Sequence, residues 1–507
     1  MEATEETVGF IDIGTNSVHV LVGRTFGGTA VTTVFEDKES IRLGDSLYSE
    51  GRLSDDAVEK AVLVVGRFAR VARNMGAQRI VAMATCACRE APNASKLTDA
   101  LDKVANVSVI SGTEEARLIS LGVFGRKGPA ERSIGIDIGG GSTEVYIRED
   151  GEDLFLDSLR IGAVRYSRSL DIDMGAPVSA EDYRTICTNV ESRSYHATNN
   201  VHLIGFSKAY GSSGTMLALG ELCGRRREDR DTGYFTLKEL TRVMQELCQI
   251  DATARASLPG LSRSRADIII PGGAIAQTLM ELFGIERIEL TRNGLKQGMQ
   301  YDYMMSRGYT TFDTRDAAVE ALALRCRYDR GHAETVKKYC GWIFDGLGAV
   351  GIHDLDENAR NLLTNSAILH DIGEIVSYEN HNVISQALIE GSNLAGFTSK
   401  ELRSMGIMVR LHHGKYFGPK DAAFDGMNPK EIETVRKCGL VLRMADVLDR
   451  HRTDSISGIR ITTDGTWVEM ELVSEDVPTM EMWKLEKLRG EFVRVFEHPL
   501  SIRHSSL

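Results

Sequence analysis

Two stretches of the chain repeat the same order of apolar and polar positions. Residues 8–24 read VGFIDIGTNSVHVLVGR and residues 134–147 read IGIDIGGGSTEVYI. In each, apolar residues alternate as far as a carboxylate, Asp12 or Asp137, then small residues interrupt the pattern and the alternation resumes. This pattern predicts two strands joined by a tight turn. Its repetition predicts a duplicated α/β domain whose two hairpins face a shared cleft.

The turns carry groups that suit a phosphate. Three consecutive glycines, residues 139–141, can adopt positive φ and direct successive N–H groups inward as an anion-binding nest. Ser142 adds a hydroxyl donor at its rim. Asp137 and Glu144 flank the turn, where their carboxylates can hold Mg²⁺ beside phosphate oxygens.

A second candidate centre lies between the hairpins. Helical spacing from Ser54 to Gly76 is followed by a predicted strand over residues 79–87, with Arg89 just beyond it. A strand over residues 107–110 then leads into SGTEEAR, residues 111–117, at a predicted helix start. Paired glutamates at a helix start commonly serve only as caps. Because this segment leads directly to the hairpin at Asp137, we expect a functional role instead.

The rest of the chain divides into segments that differ in their predicted secondary structure. A helix is predicted over residues 178–198, and strands are predicted over 202–206, 266–270 and 288–290. The first of these strands leads to the small-residue turn at 211–215 and to a helix over 216–223. From about Asp313 the pattern is helical, and two strands and a single helix over 480–496 follow from Ser457. The predicted domains are therefore 1–126, 127–310, 311–455 and 456–507.

Composition narrows the class of protein. The 507 residues are 42% hydrophobic and 26% charged, as in ordinary globular proteins. A formal charge of −12 argues against a general nucleic-acid coat. No run approaches the roughly 18 apolar residues of a membrane span, and the acidic start is unlike a signal peptide. We therefore expect a cytoplasmic protein without nucleic-acid or membrane partners, in which the eight scattered cysteines are reduced.

Several motifs occur in a fixed order along residues 8–305: DIGTNS from Asp12, SGTEEAR from Ser111, DIGGGSTE from Asp137, GSSGT from Gly211 and PGG from Pro271. With them the chain resembles the exopolyphosphatase/guanosine pentaphosphatase family, in its long form with a C-terminal HD-like domain. The resemblance implies duplicated acetate/sugar kinase–Hsp70–actin (ribonuclease H-like) domains, then an all-α HD-like domain and a small α/β C-terminal domain. It also implies a homodimer.

The resemblance implies a role for each residue at a motif position. Glu115 would be the general base for the attacking water, while Arg89 and Arg117 would bind the terminal phosphate. Asp12, Asp137 and Glu144 would hold Mg²⁺. The phosphate would be cradled by residues in the three turns: Thr15, Asn16, Ser17, Gly139, Gly140, Gly141, Ser142, Ser213 and Gly214.

One segment departs from the family pattern. Where the family has Gly-Leu-Arg-Glu-Gly, this chain has Gly-Leu-Lys-Gln-Gly over residues 294–298. Lys296 keeps the positive charge but lacks the bidentate geometry of arginine, and Gln297 lacks the carboxylate. A local contact is therefore in question, while the expectations for Glu115 and Asp137 are unaffected.

The predicted helical domain carries the residue types of an HD metal site. The required order is present in His332, the pair His370 and Asp371, and Asp446. Together they supply two imidazoles and two carboxylates for one divalent ion, which can be a transition metal. A second ion has further candidate ligands in His381, His412 and His413. The alternatives are a helical scaffold with ordinary histidines, a second metal phosphohydrolase site, or a nucleotide-sensing pocket.

The function expected first is Mg²⁺-dependent release of terminal orthophosphate from inorganic polyphosphate. The alternative within the same class is hydrolysis of guanosine pentaphosphate. A phosphotransferase, or a nucleotide sensor with a metal-binding HD site, remains as a further alternative because function does not follow from fold alone.

Overall fold

The computed structural model of the chain describes residues 6–26, 30–225, 227, 232–308, 314–392, 394 and 397–506. The chain forms two compact units, residues 1–314 and residues 315–507. The predicted boundary between residues 310 and 311 lies outside the described residues, and the finer division into four domains stays a prediction.

The first sheet of unit 1 contains the first predicted hairpin. Its strands are β1 (Glu6–Ile13), β2 (Ser17–Phe26), β3 (Ala30–Ser40), β4 (Arg79–Ala84) and β5 (Val107–Val109), in the order β3-β2-β1-β4-β5. β1 pairs antiparallel with β2 and parallel with β4. The helices of this half are α1 (Leu43–Glu50), α2 (Asp55–Asn74), α3 (Cys86–Glu90), α4 (Ala94–Leu101) and α5 (Gly112–Phe124).

The second sheet repeats this arrangement. Its strands are β6 (Ser133–Ile138), β7 (Thr143–Glu149), β8 (Glu152–Leu159), β9 (Lys208–Ser212), β10 (Tyr234–Thr236) and β11 (Arg287–Leu290), in the order β8-β7-β6-β9-β11-β10. The helices are α6 (Ala163–Ser169), α7 (Ala180–Ile204), α8 (Ser213–Gly224), α9 (Leu237–Cys248), α10 (Ala252–Arg255), α11 (Ile269–Phe283) and α12 (Leu295–Ser306). Apart from the edge strand β10, both sheets share one order, which confirms the predicted duplication.

Three predicted strands are wrong in extent or type. β4 ends at Ala84, and the amides of Cys88 and Arg89 donate to Thr85 O (3.0 and 3.1 Å), which starts the short helix α3. Residues 202–204 complete α7, and the strand follows at 208–212. Residues 269 and 270 begin the buried helix α11, and Pro271 is tolerated because it lies in the first turn of this helix. Short apolar runs fit a buried helix as well as a strand, so periodicity alone does not separate them.

Unit 2 is mainly helical. Its helices are α13 (Thr314–Arg325), which begins at the unit boundary, α14 (Arg330–Ala349), α15 (Glu357–Leu369), α16 (His381–Gly391), α17 (Ser399–His412), α18 (Pro429–Leu448), α19 (Thr479–Lys487) and α20 (Arg489–Phe496). A small sheet has the order β12-β13-β14, from β12 (Gly458–Thr463), β13 (Val468–Val473) and β14 (Leu500–Ser505). The single helix predicted over 480–496 is therefore wrong, because it breaks at Leu488 into α19 and α20.

Unit 2 is organised around one apolar core to which helices and small sheet both contribute. Tyr339 of α14, Leu411 of α17 and Met470 of β13 are all fully buried in it. Among the described residues, no helix combines the length and the apolar character that a membrane crossing requires.

Candidate functional site

The two hairpin turns of unit 1 meet at one point. Each turn is closed in the same way, by a bond of 3.0 Å from Gly14 N to Ser17 O and from Gly139 N to Ser142 O. A Cβ added to Gly140 would lie 3.2 Å from Asn16 Cβ in the opposite turn. The duplicated halves therefore bring their turns into contact, at the carboxyl ends of β1 and β6, where open α/β sheets bind ligands.

The glycines of the second turn serve a different purpose from the one predicted. Gly139, Gly140 and Gly141 do not adopt positive φ, so the expected left-handed nest is wrong. Their lack of a side chain is needed for space instead. A Cβ on Gly141 would lie 2.5 Å from the Tyr48 hydroxyl and 2.7 Å from Thr15 Oγ1, inside any normal contact distance.

A helix start is fastened to each turn by matching bonds. In the first half, the amide of Gly44 donates to Thr15 O (3.0 Å). In the second half, the amides of Val164 and Arg165 both donate to Gly140 O (2.9 Å each). The turns are thus held by backbone bonds, although the Ser17 hydroxyl is also bonded to the His19 ring (2.9 Å) and the Thr143 hydroxyl donates to Ile161 O (2.9 Å). The side chains of Thr15 and Asn16 are not needed to hold the turns.

These two side chains have polar atoms with unmet hydrogen-bonding capacity. Within the described part of the chain, the buried atoms Thr15 Oγ1 and Asn16 Oδ1 have no hydrogen-bond partner. Buried polar atoms in folded proteins are nearly always satisfied, and an exception calls for an explanation. A bound ligand at the meeting point of the turns would supply the missing partner.

A carboxylate pair stands behind the second turn. Asp137 and Glu144 face each other across β6 and β7. The Ser212 hydroxyl donates to Asp137, and the Ser158 hydroxyl donates to Glu144 at 2.7 Å. Burial raises the pKa of Asp137 to about 6, against the opposing effect of the Ser212 bond. Burial, followed by the charge of Glu115, raises the pKa of Glu144 well above its usual value.

Asp12 belongs to the same group of carboxylates. Burial raises its pKa to about 7, followed by the negative charge of Glu115, while the Lys296 ammonium opposes the shift. Asp12 and Asp137 are both partly open to solvent, unlike the buried Glu144. An all-oxygen donor set in which the carboxylates repel one another suits a hard divalent cation such as Mg²⁺. The residues present therefore fit the expected ion.

The paired glutamates at the start of α5 take different environments. Ser111 caps the helix by accepting from Glu114 N (3.1 Å). Glu114 points outward, whereas Glu115 is 7% exposed and accepts from Arg89 Nη1 at 2.7 Å. Burial raises the pKa of Glu115, and Arg89 opposes that shift. A helix turns by about 100° per residue, so neighbouring residues can face solvent and cleft respectively.

The two predicted arginines differ in what holds them. Arg89 also donates to Ile110 O (3.0 Å), which fixes it beside Glu115. Arg117 is occupied elsewhere, because it donates to Glu114 (2.7 Å) and to Asp302 (2.7 Å). Its geometry gives no support to the expected contact with a terminal phosphate, which stays a prediction.

The third turn adds a strained residue and an arginine that sequence reasoning missed. Ser213, at the start of α8, has φ of 89°, a conformation that costs energy for a residue with a side chain. A Cβ on Gly214 would lie 1.9 Å from Arg265 Nη2, so the guanidinium lies directly against this turn. Arg265 forms no ion pair with any carboxylate in the described ranges, and burial lowers its pKa.

Arg265 is one member of a cationic group that the sequence did not reveal. Burial, followed by the charges of three neighbouring cations, lowers the pKa of Lys38; the three are Arg265, Lys296 and Arg292. Burial and the charge of Lys296 also lower the pKa of His19 to about 3, so its imidazole is neutral. These four cations, which come from β3, the turn before α11 and the segment around 292–296, form a surface for anions near Asp12.

The segment that departs from the family pattern has local partners. Lys296 forms an ion pair with Glu36 on β3. Gln297 accepts from Gly294 N (3.0 Å) and so caps the start of α12. The amide side chain thus performs the capping that a carboxylate would perform.

In unit 2 the structure brings the four predicted HD residues together. His332 Nε2 lies 3.4 Å from Asp446 Oδ1, and His370 Nε2 lies 3.4 Å from Asp371 Oδ2. The two imidazole Nε2 atoms are 3.3 Å apart. His381 and His412 lie on the other side of Asp371, each with Nε2 at 3.4 Å from Oδ1.

The paired hairpins, the carboxylates and the cations of unit 1 define a class of protein that acts on phosphate groups. Residues 21–307 match the model of the Ppx/GppA phosphatase family, and residues 314–487 match that of Ppx/GppA phosphatase, domain III. The chain belongs to the Ppx/GppA phosphatase family. It is therefore a hydrolase, as the motif order led us to expect.

Curated relatives cover most of the chain. A guanosine-5'-triphosphate,3'-diphosphate pyrophosphatase of Photobacterium profundum is 28% identical over 437 residues, 85% of this chain and 86% of that protein. A protein of the same name from Vibrio vulnificus is 27% identical over 466 residues, 90% of this chain and 92% of its own.

Solved structures share the fold of unit 1. An exopolyphosphatase from Cytophaga hutchinsonii aligns with a TM-score of 0.54 at 23% identity, over 61% of this chain and all of that one. The Ppx/GppA family member from Aquifex aeolicus aligns with a TM-score of 0.51 at 21% identity, over the same share of each chain. The likeness supports the duplicated actin-like architecture that the sequence resemblance implied.

Proposed function

We propose that the chain removes the terminal phosphate of guanosine pentaphosphate by hydrolysis of a phosphoanhydride bond. The observation that carries the reaction type is Glu115, a buried carboxylate held by Arg89 beside the carboxylates of both hairpins. The printed name of the curated relatives supports this nucleotide over inorganic polyphosphate, the substrate we expected first. Polyphosphate remains the second candidate, favoured by the cationic group around Arg265.

In the proposed reaction Glu115 acts as general base. It orients a water and accepts a proton as the water oxygen attacks the terminal phosphorus, and the bond to the bridging oxygen breaks to release orthophosphate. Burial raises the pKa of Glu115, which makes it a stronger proton acceptor, while Arg89 favours the ionised form. Burial therefore strengthens Glu115 as a proton acceptor, while the ion pair with Arg89 opposes its protonation in the resting site.

The phosphate contacts come from the three turns. Thr15 offers its unpartnered Oγ1 hydroxyl as a donor, and Gly140, Ser142 and Gly214 offer backbone amides. The unpartnered Asn16 Oδ1 can only accept, so it suits a cation or a water and not the phosphate itself. Arg265, which has no carboxylate partner among the described residues, supplies positive charge at the third turn. A guanidinium fork matches two phosphate oxygens at once.

Asp12, Asp137 and Glu144 would hold Mg²⁺ in this cleft. When bound, the ion offsets the negative charge that develops on the phosphoryl oxygens. Burial raises the pKa of Asp12 and of Asp137, and Lys296 only partly opposes the shift at Asp12, so a bound divalent cation would stabilise the ionised carboxylates. Residues 311–455 would form an HD-like domain, on the strength of the His370 and Asp371 pair, and the family resemblance favours a homodimer.

The test compares substrates on one preparation. Orthophosphate release is measured with Mg²⁺ from guanosine pentaphosphate and from long-chain polyphosphate at equal concentrations of terminal phosphate. We expect the larger kcat/KM for guanosine pentaphosphate. A larger value for polyphosphate would overturn the substrate assignment but retain the hydrolase. Transfer of phosphate to ADP at a rate that matches release to water would identify a phosphotransferase instead.

A further inference from the structure

Four histidines of unit 2 form two pairs, one on each side of a single carboxylate. The Nε2 atoms of His332 and His370 are 3.3 Å apart, and those of His381 and His412 are 3.0 Å apart. Asp371 Oδ2 lies 3.7 Å from His332 Nε2 and 3.4 Å from His370 Nε2. Asp371 Oδ1 lies 3.4 Å from each member of the second pair. Each carboxylate oxygen therefore faces one pair.

These separations are those expected between ligand atoms that share an ion. Two atoms at about 2.1 Å from one ion lie about 3.0 Å apart at a right angle and about 3.4 Å apart at a tetrahedral angle. The separations within the two groups run from 3.0 to 3.7 Å. Asp446 completes the first group, with Oδ1 at 3.4 Å from His332 Nε2 and 3.7 Å from His370 Nε2.

The tautomer of each histidine is fixed by its other ring nitrogen. Each Nδ1 donates to an oxygen that can only accept: His332 to Asp449 Oδ2, His370 to Ala367 O, His381 to Tyr378 O and His412 to Val409 O. The Nε2 lone pairs therefore point into the cluster. Such outer bonds are what orient metal-ligating histidines and strengthen them as ligands.

The ligand types select the kind of metal. Imidazole nitrogens with carboxylate oxygens suit Mn²⁺, Fe²⁺, Ni²⁺ or Zn²⁺, whereas Mg²⁺ prefers oxygen ligands alone. All four histidines are at least 95% buried, while the Asp371 side chain is 16% exposed. The cluster is therefore closed except at Asp371, where a substrate can approach.

Charged groups of both signs lie at the opening beside Asp371. Arg452 Nη2 lies 3.9 Å from Asp371 Oδ2 and 3.4 Å from Glu374 Oε2, while its Nη1 pairs with Asp329 at 2.6 Å. Arg450 donates to the Tyr378 hydroxyl (3.4 Å) and has no carboxylate partner within the described ranges. Tyr378, which Arg450 contacts, is 64% exposed, and Val376, two residues before it in the chain, is 70% exposed. Arginine binds phosphate, and an exposed aromatic surface stacks on flat rings.

We propose that unit 2 holds a dinuclear transition-metal centre, bridged by Asp371, that hydrolyses a phosphate ester carrying an aromatic group. His332, His370 and Asp446 bind one ion, and His381 and His412 bind the other. Two ions held about 3.5–4 Å apart stabilise both the attacking and the leaving oxygen of a phosphoryl displacement. One water is consumed. The hydroxyl of the water joins phosphorus, the bond from phosphorus to the alcohol oxygen breaks, and the second proton of the water goes to the alcohol oxygen.

The test uses the full chain with Glu115→Gln and Asp137→Asn, which remove the proposed base and one proposed ion ligand of unit 1, so that neither hydrolysis nor metal binding in that cleft contributes. Metal per chain is measured by mass spectrometry after loading with Mn²⁺ and gel filtration, and hydrolysis of p-nitrophenyl phosphate and of bis(p-nitrophenyl) phosphate is followed. We expect two ions per chain and release of p-nitrophenol from at least one ester. His381→Gln is expected to retain one ion, and Asp371→Ala to lose at least about 100-fold in rate.

His451→Gln is the matched control, because this histidine lies in the same unit but bonds to Glu481 outside the cluster. It is expected to retain both ions and the full rate. A wild-type titration that gives one Mn²⁺ per chain, or none, would overturn the dinuclear centre without any variant having to fold. Two ions with no hydrolysis of either ester would overturn the catalytic assignment. Neither result bears on release of orthophosphate by unit 1.

Discussion

Asp12→Asn is expected to stabilise the metal-free protein at neutral and higher pH. The carboxyl has a pKa of about 7 in the folded chain against an ordinary value of 3.8. A raised carboxyl pKa means that the folded state binds the proton more tightly than the unfolded state, so stability falls as pH rises from about 4 to 7. Above pH 7 the full penalty applies, of order 4 kcal/mol in the free energy of unfolding.

The assay is urea unfolding of wild type and Asp12→Asn in EDTA at pH 5 and at pH 8. The variant should gain a few kcal/mol over wild type at pH 8 and clearly less at pH 5. Added Mg²⁺ should reduce the advantage, because a bound cation relieves the repulsion among the carboxylates. An advantage that does not change with pH would contradict the raised pKa of Asp12, since an effect of the substitution that does not depend on charge would then explain it.

Three further predictions concern the same cleft. Gly141→Ala should abolish phosphate release and lower the free energy of unfolding by about 1–3 kcal/mol in thermal unfolding, because the added Cβ has no room. Gly490→Ala, where the added Cβ points into open space, should change neither the activity nor the stability. Arg265→Ala should raise KM at least about tenfold with a smaller change in kcat in steady-state kinetics, whereas Arg263→Ala on the same turn should not. At limiting Mg²⁺, apparent Mg²⁺ affinity from rate titrations should fall as pH drops below about 6, where Asp137 gains its proton; an unchanged affinity would contradict that assignment.

The hairpins were predictable because their information is local. Alternating apolar residues, a carboxylate and a small-residue turn lie within seventeen positions of the sequence, and the repetition showed that two such hairpins share a fold. What the glycines do was not predictable. Their need for space arises from Asn16, Thr15 and Tyr48, whose positions depend on how the two halves pack.

The cationic group around Arg265, in contrast, could not be predicted from the sequence. Lys38, Arg265 and Lys296 are far apart in sequence and each is ordinary in its local context. Their proximity follows from the pairing of β2 with β3, from the packing of α12 against β1 and β2, and from the place of Arg265 against Gly214, which no short motif encodes. In unit 2 the order of the histidines predicted a metal site, but the placing of Asp371 between the two pairs required the structure.

In the proposed reaction Glu115 activates the water that releases orthophosphate. The direct test of this role is the rate of orthophosphate release from guanosine pentaphosphate by wild type, Glu115→Gln and Glu114→Gln, at saturating Mg²⁺. Glu114 is the control because it is the adjacent carboxylate of α5 but faces solvent. We expect a loss of about 100-fold or more in kcat for Glu115→Gln with KM little changed, and a near wild-type rate for Glu114→Gln. A Glu115→Gln enzyme that retains the wild-type kcat would contradict this role.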